Sequence, residues 1–162
     1  MAFKVFLSYR NGPEEQLVVW RLQTLAAAYG INVFVPVRNG LQRASVQGRL
    51  MPPQDVRRKI EQADCVLAIM TGTPGPAVRA ELSYAWTKGI TVIPILAKGV
   101  SPPAFLAGSP VFYFSPSDPG AVETQVVEFL KRQQFSKQKQ QAVGALVAIG
   151  VGMFLLAALS ER

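Results

Sequence analysis

The chain has 162 residues, 49% of them hydrophobic, with a single cysteine, no histidine and a formal charge of +7. That length and composition allow one compact core. They exclude a disulfide framework, and with no histidine and one soft ligand they also exclude Ser-His-Asp and Cys-His catalysis and a zinc site. Any chemistry must therefore rest on carboxylates, hydroxyls and arginines.

Lys4 to Ser8 predicts a first strand, Glu14 to Tyr29 an amphipathic helix closed by Gly30, and Ile31 to Val35 a second strand. From Pro36 to Pro53, with Gly40, Gly48 and the Pro52-Pro53 pair as breakers, the pattern is a long loop of the functional or mobile kind. A helix resumes over Gln54 to Gln62. Asp64 to Met70 and Ile90 to Leu96 are short, β-branched and apolar on both alternating faces, as in strands covered on both sides of a parallel sheet. Cys65, in the first of these, reads as a buried small hydrophobe.

Between those strands the Thr71 to Pro76 loop launches a helix that carries Glu81 near its start. Ligands of parallel sheets bind at the carboxyl ends of the strands, so Glu81 is expected near a ligand crevice. Stepping about 100° per residue from Val78, the residues Leu82, Ala85 and Trp86 form the buried stripe and Glu81 falls on its flank. Two readings fit that position: an ordinary glutamate favoured by the helix N-terminus, or a functional carboxylate. A proline-punctuated stretch follows, with a short strand at Val111 to Phe114 and a closing helix from about Pro119 to Phe135.

Ala142 to Leu159, AVGALVAIGVGMFLLAAL, carries no charge. At about 1.5 Å per residue it spans roughly 27 Å, enough for a bilayer core, and it predicts a transmembrane helix. Lys131, Arg132, Lys137 and Lys139 lie just upstream, and the positive-inside rule then keeps the domain cytoplasmic. The start, MAFKVFLSYR, has no signal-peptide pattern. The expected organisation is a domain over 1–135, a basic juxtamembrane linker over 136–141, a membrane helix over 142–159 and a short tail over 160–162, which is a single-pass tail-anchored protein. Gly144, Ala148 and Gly152 recur every four residues and predict a face on which two such helices approach closely. A second basic group, Arg38, Arg43, Arg49, Arg57, Arg58 and Lys59, has no interleaved aromatics and no nucleic-acid motif, so nucleic acid is not an expected partner.

Taken in order, KVFLSYR, GINVFV, the long loop, ADCVLAIM, AELSYAW and GITVIPIL resemble the Toll/interleukin-1 receptor (TIR) domain family over roughly residues 1–135. The resemblance implies an α/β fold, a flavodoxin-like five-stranded parallel sheet flanked by helices, and self-association through the Pro36 to Pro53 loop. Many members cleave NAD at the nicotinamide ribosyl bond with a glutamate on the third helix, and Glu81 matches that position. NAD would be substrate rather than cofactor, and no metal is implied. Ser8, Tyr9 and Arg10 match the segment near the nucleotide site, with Arg10 placed to meet a phosphate and Tyr9 to support the ribose or base; Tyr84 is a weaker candidate for the same cleft, and Trp86 reads as core.

Two positions depart from the family pattern: Ala77 stands where many catalytic members carry tryptophan, and Pro36 where an acidic residue is frequent. Alongside an NAD-cleaving enzyme, for which a membrane anchor suits an immune-defence role, two alternatives stay open. One is a TIR interaction module without turnover. The other is a nucleoside deoxyribosyltransferase-like enzyme, a family that usually places aspartates in the loop before its glutamate helix, where Thr71 to Pro76 offers none.

Overall fold

Along the chain the elements are β1 (Lys4–Tyr9), α1 (Pro13–Ala28), β2 (Asn32–Phe34), β3 (Ala44–Val46), β4 (Arg49–Met51), α2 (Gln54–Gln62), β5 (Cys65–Met70), α3 (Pro76–Thr87), β6 (Thr91–Ala97), a 3-10 turn (Ala104–Leu106), β7 (Phe112–Phe114) and α4 (Gly120–Ala148). This is a computed structural model, and it describes residues 3–10, 12–36, 44–46, 49–106, 108–115, 118 and 120–148. The chain divides into two units, Met1–Val127 and Glu128–Arg162.

In the first unit five strands pair in parallel in the order β2-β1-β5-β6-β7. The chain leaves β1 toward one edge and β5 toward the other, so the direction of winding reverses between these two strands. Every residue of β5 is buried, as its unbroken apolar run requires of a central strand covered on both faces. Pro94, which donates no backbone hydrogen bond, lies in β6 just before the stretch Ile95 to Ala97 that β7 pairs, the tolerated place for a proline in a sheet.

On one face Phe6, Val66, Ala68, Met70, Val92 and Leu96 pack against Val56 and Ile60 of α2 and Val78, Leu82 and Ala85 of α3. Val18, Val19, Leu22 and Ala26 form the buried side of α1, and Arg21 Nε of α1 meets Glu123 Oε1 of α4 at 2.5 Å. Both α1 and α3 end on a glycine in the left-handed region, Gly30 at φ 74° and Gly89 at φ 73°. In each case the next residue turns its N–H back into the helix, Ile31 to Ala26 O at 3.1 Å and Ile90 to Ala85 O at 3.0 Å, and the chain passes directly into the following strand.

Two expectations need correction. The Pro36 to Pro53 segment contains the antiparallel pair β3 and β4, registered Ser45 to Leu50; at three residues each, the strands are short enough to fit between the glycine and proline breakers that read as loop. Residues 37–43 and 47–48 of that segment, Arg38 and Arg43 among them, lie outside the described residues. The closing helix, expected to end at Phe135, runs on through 136–141, where SKQKQQ contains neither glycine nor proline to stop it. Of the predicted membrane span, 142–148 continue α4; 149–159, including Gly152, and the tail over 160–162 lie outside the described residues. Among the described residues no helix is long and apolar enough to cross a membrane.

Ile60 is fully buried between α2 and the sheet, so Ile60→Ala should cost about 2–5 kcal/mol in urea unfolding. Burial, reinforced by Asp64, pushes the Cys65 thiol from 9.0 up to about 12. A thiol that holds its proton more tightly when folded stabilises the protein below pH 9 and loses that contribution as the pH rises from about 9 toward 12. At pH 8 the folded chain should therefore resist a disulfide-exchange reagent that modifies Cys65 fully in denaturant.

Candidate functional site

The reversal between β1 and β5 opens a crevice at the carboxyl ends of the two strands, the usual place for a ligand in this kind of sheet. Ser8 and Tyr9 end β1 in register with Ala68 and Ile69 of β5. Because side chains alternate along a strand, Ser8 shares the face of Phe6, toward α3, and Tyr9 takes the other. Ser8 Oγ donates a hydrogen bond to Glu81 Oε1 at 2.7 Å, joining the end of the first strand to the second turn of α3.

Glu81 is 2% exposed and Ser8 fully buried, so the expected flank position of Glu81 is corrected to the core-facing stripe. The buried residues of α3 are Val78, Glu81, Leu82 and Ala85. Counting Trp86 as apolar core displaces the stripe and pushes Glu81 to its edge. Trp86 is in fact 51% exposed and meets Phe105 edge-on with ring centroids 5.7 Å apart. A carboxylate withdrawn from water needs donors, and Ser8 supplies one.

Tyr9 is buried, and Arg10 projects outward with 61% of its side chain exposed. Tyr84 is not brought to Glu81. Its hydroxyl donates to Glu61 of α2, and with Gln54, Arg57 and Arg58 it lines a separate polar cleft of about 240 Å³. Burial, then the Glu61 carboxylate, raises the Tyr84 hydroxyl above its ordinary range; the Tyr84 hydrogen bond, with Lys88 Nζ at 3.7 Å, holds Glu61 below its own. Of the two family departures, Ala77 is exposed and Pro36 buried.

Glu15, in the first turn of α1, belongs to the crevice although the sequence analysis did not single it out. It is 2% exposed. Its Oε1 accepts the Thr71 hydroxyl hydrogen and lies 3.7 Å from Arg10 Nε, while Oε2 has no hydrogen-bond partner among the described residues. The available signal was positional, since the first turn of a helix that follows β1 directly must open on the carboxyl end of the sheet. Beside it Gly72, Thr73 and Pro74 help to line a cleft of about 490 Å³ that continues to Arg79 and the Gly99 to Pro103 turn. Among the described residues no three acidic or cysteine side chains cluster as a metal site would require.

A parallel sheet in this order, with a buried glutamate hydrogen-bonded across the winding reversal, defines a flavodoxin-like domain with its candidate site at the strand ends. The family model described as TIR domain matches residues 5–131, and the chain belongs to the TIR domain family. The TIR domain of the Toll-related receptor TRR-2 from Hydra magnipapillata is similar at 17% identity and a TM-score of 0.55, with 78% of this chain and 97% of that one covered. The RPS4 and RRS1 TIR domain heterodimer is similar at 13% identity and a TM-score of 0.52, with 83% and 99% covered. At such identities the likeness establishes the fold. None of the curated proteins matches the chain.

Removing the donor from the buried pair should be costly. Ser8→Ala leaves the Glu81 carboxylate short of a hydrogen bond, and its urea midpoint should fall by the equivalent of about 1–3 kcal/mol.

Proposed function

We propose that this TIR domain cleaves NAD at the nicotinamide ribosyl bond, with Glu81 as the catalytic residue. The observation that supports the reading best is the buried Ser8 to Glu81 hydrogen bond at the winding reversal. When the C1′–N bond breaks, its electron pair leaves with nicotinamide and positive charge spreads over C1′ and the ring oxygen. A carboxylate fixed beforehand, in a site poor in water, stabilises that charge more than it stabilises the substrate. Ser8 orients the carboxylate toward the end of β1. Arg10, exposed at the end of β1, takes a phosphate, and Tyr9 supports the strand end behind it.

In the closed arrangement Glu81 is 2% exposed. Turnover therefore requires the Thr71 to Pro76 loop or the neighbouring turn to move, and we assign that opening to assembly of like domains. The RPS4 and RRS1 TIR domain heterodimer offers a precedent for such pairing. The 142–159 segment would hold the domain at the cytoplasmic face of a membrane, with Gly144, Ala148 and Gly152 as a helix-pairing face, and an immune-defence role follows by analogy within the family.

The burial of Glu81 also favours a second reading, an interaction module without turnover, and Ala77, small and exposed, offers no aromatic wall for a nicotinamide ring. Product analysis by mass spectrometry, with the full chain in liposomes and NAD added, separates the two. Glu81→Gln should lower NAD cleavage by about 10²–10³ with the fold intact, and Arg10→Ala should raise the KM for NAD. Wild-type turnover in folded Glu81→Gln protein would overturn the assignment, and no nicotinamide release from the wild-type chain would favour the module. Deleting 142–162 should leave a folded domain of lower specific activity, since confinement at a membrane raises the local concentration of partners; equal activity across a dilution series would speak against assembly.

A further inference from the structure

Glu15 has no part in the mechanism above, yet it is a buried carboxylate at the same crevice. One oxygen is held by the Thr71 hydroxyl and faces Arg10; the other, Oε2, has no hydrogen-bond partner among the described residues. A carboxylate oxygen out of reach of bulk water calls for a donor. With Arg10, Thr71, Gly72 and Val78, Glu15 lines a cavity of about 10 Å³, room for one water-sized group. Gly72, Thr73 and Pro74 are shared between this cavity and the cleft of about 490 Å³. One small donor is thus accommodated next to an exposed guanidinium, at the rim of a cleft that can take the body of a ligand.

A hydroxyl carried close to a phosphate is the chemistry that fits both groups. We propose that Glu15 Oε2 accepts a hydrogen bond from a ribose hydroxyl of a phosphorylated ribose ligand whose phosphate meets Arg10. The ligand class rests on the NAD reading, but the recognition is assigned to α1 rather than to α3. Thr71 fixes the carboxylate in place, and the hydroxyl makes the hydrogen bond that Oε2 otherwise lacks.

The test uses the full chain in detergent, titrated with ribose 5-phosphate and with 2,3-dideoxyribose 5-phosphate and followed by ligand-observed NMR. The wild type should prefer the ribose form by about tenfold or more, the range for a hydrogen bond to a charged group. Glu15→Met, of similar length with no comparable acceptor, and Glu15→Asp, charged but with its oxygen drawn back by one methylene, should both lose that preference. The second variant keeps the test decisive if the first does not fold. Equal affinity of the wild type for the two sugars, meaning that a trapped water fills the cavity, overturns the proposal, as does a preference retained in either folded variant or no binding of either sugar phosphate. NAD cleavage measured on the same samples separates the two assignments. A chain that cleaves NAD without hydroxyl preference loses only the role of Glu15, whereas one whose preference depends on Glu15 but which never releases nicotinamide loses only the catalytic reading.

Discussion

The hydrogen bond from Ser8 to Glu81 is the constraint around which the site is built. It joins the last buried residues of β1 to α3 across the line where the chain reverses its winding, and it forms inside a layer of Phe6, Val78, Leu82 and Ala85 with little access to water. A carboxylate there is tolerated because the strand offers a hydroxyl at the right pleat position. Shifting β1 by one residue would turn Ser8 to the opposite face and Tyr9 toward Glu81. The register of β1 against β5 therefore serves the site as much as the sheet.

The apolar layers around that bond fix its geometry. β5 is covered on both faces and β6 nearly so, which leaves α3 little freedom to rotate, and the glycine turns at Gly30 and Gly89 return the chain to the sheet without slack. At the same end of β1 a second carboxylate, Glu15, is held by Thr71 and faces Arg10. Two buried acids thus frame the end of one strand. Each is reached from a different helix, and each depends on a hydroxyl for its orientation.

Much of this was legible in the amino-acid sequence because it is local. The β-branched runs located the strands of the sheet, α2 begins and ends where periodicity and the Pro52-Pro53 pair placed it, and Glu81 was found by its position after an apolar strand. What escaped depends on partners distant in sequence. Whether a tryptophan on a helix is core or surface is decided by what faces it, and Trp86, half exposed, meets Phe105 edge-on at the surface. Tyr84 turns to Glu61 because α2 lies alongside, and the hydroxyl that holds Glu15 comes from Thr71, 56 residues away. The run of α4 past Phe135 is a local matter instead: 136–141 holds no glycine or proline, and a basic segment continues a helix as readily as it ends one.

The most direct test of the central claim is a structure of the full chain with a non-cleavable carbocyclic NAD analogue bound. The carbocyclic ribose should lie against the Glu81 carboxylate at the ends of β1 and β5, with the Thr71 to Pro76 loop displaced to admit it. An analogue bound elsewhere, with the Ser8 to Glu81 hydrogen bond still closed and buried, would contradict it.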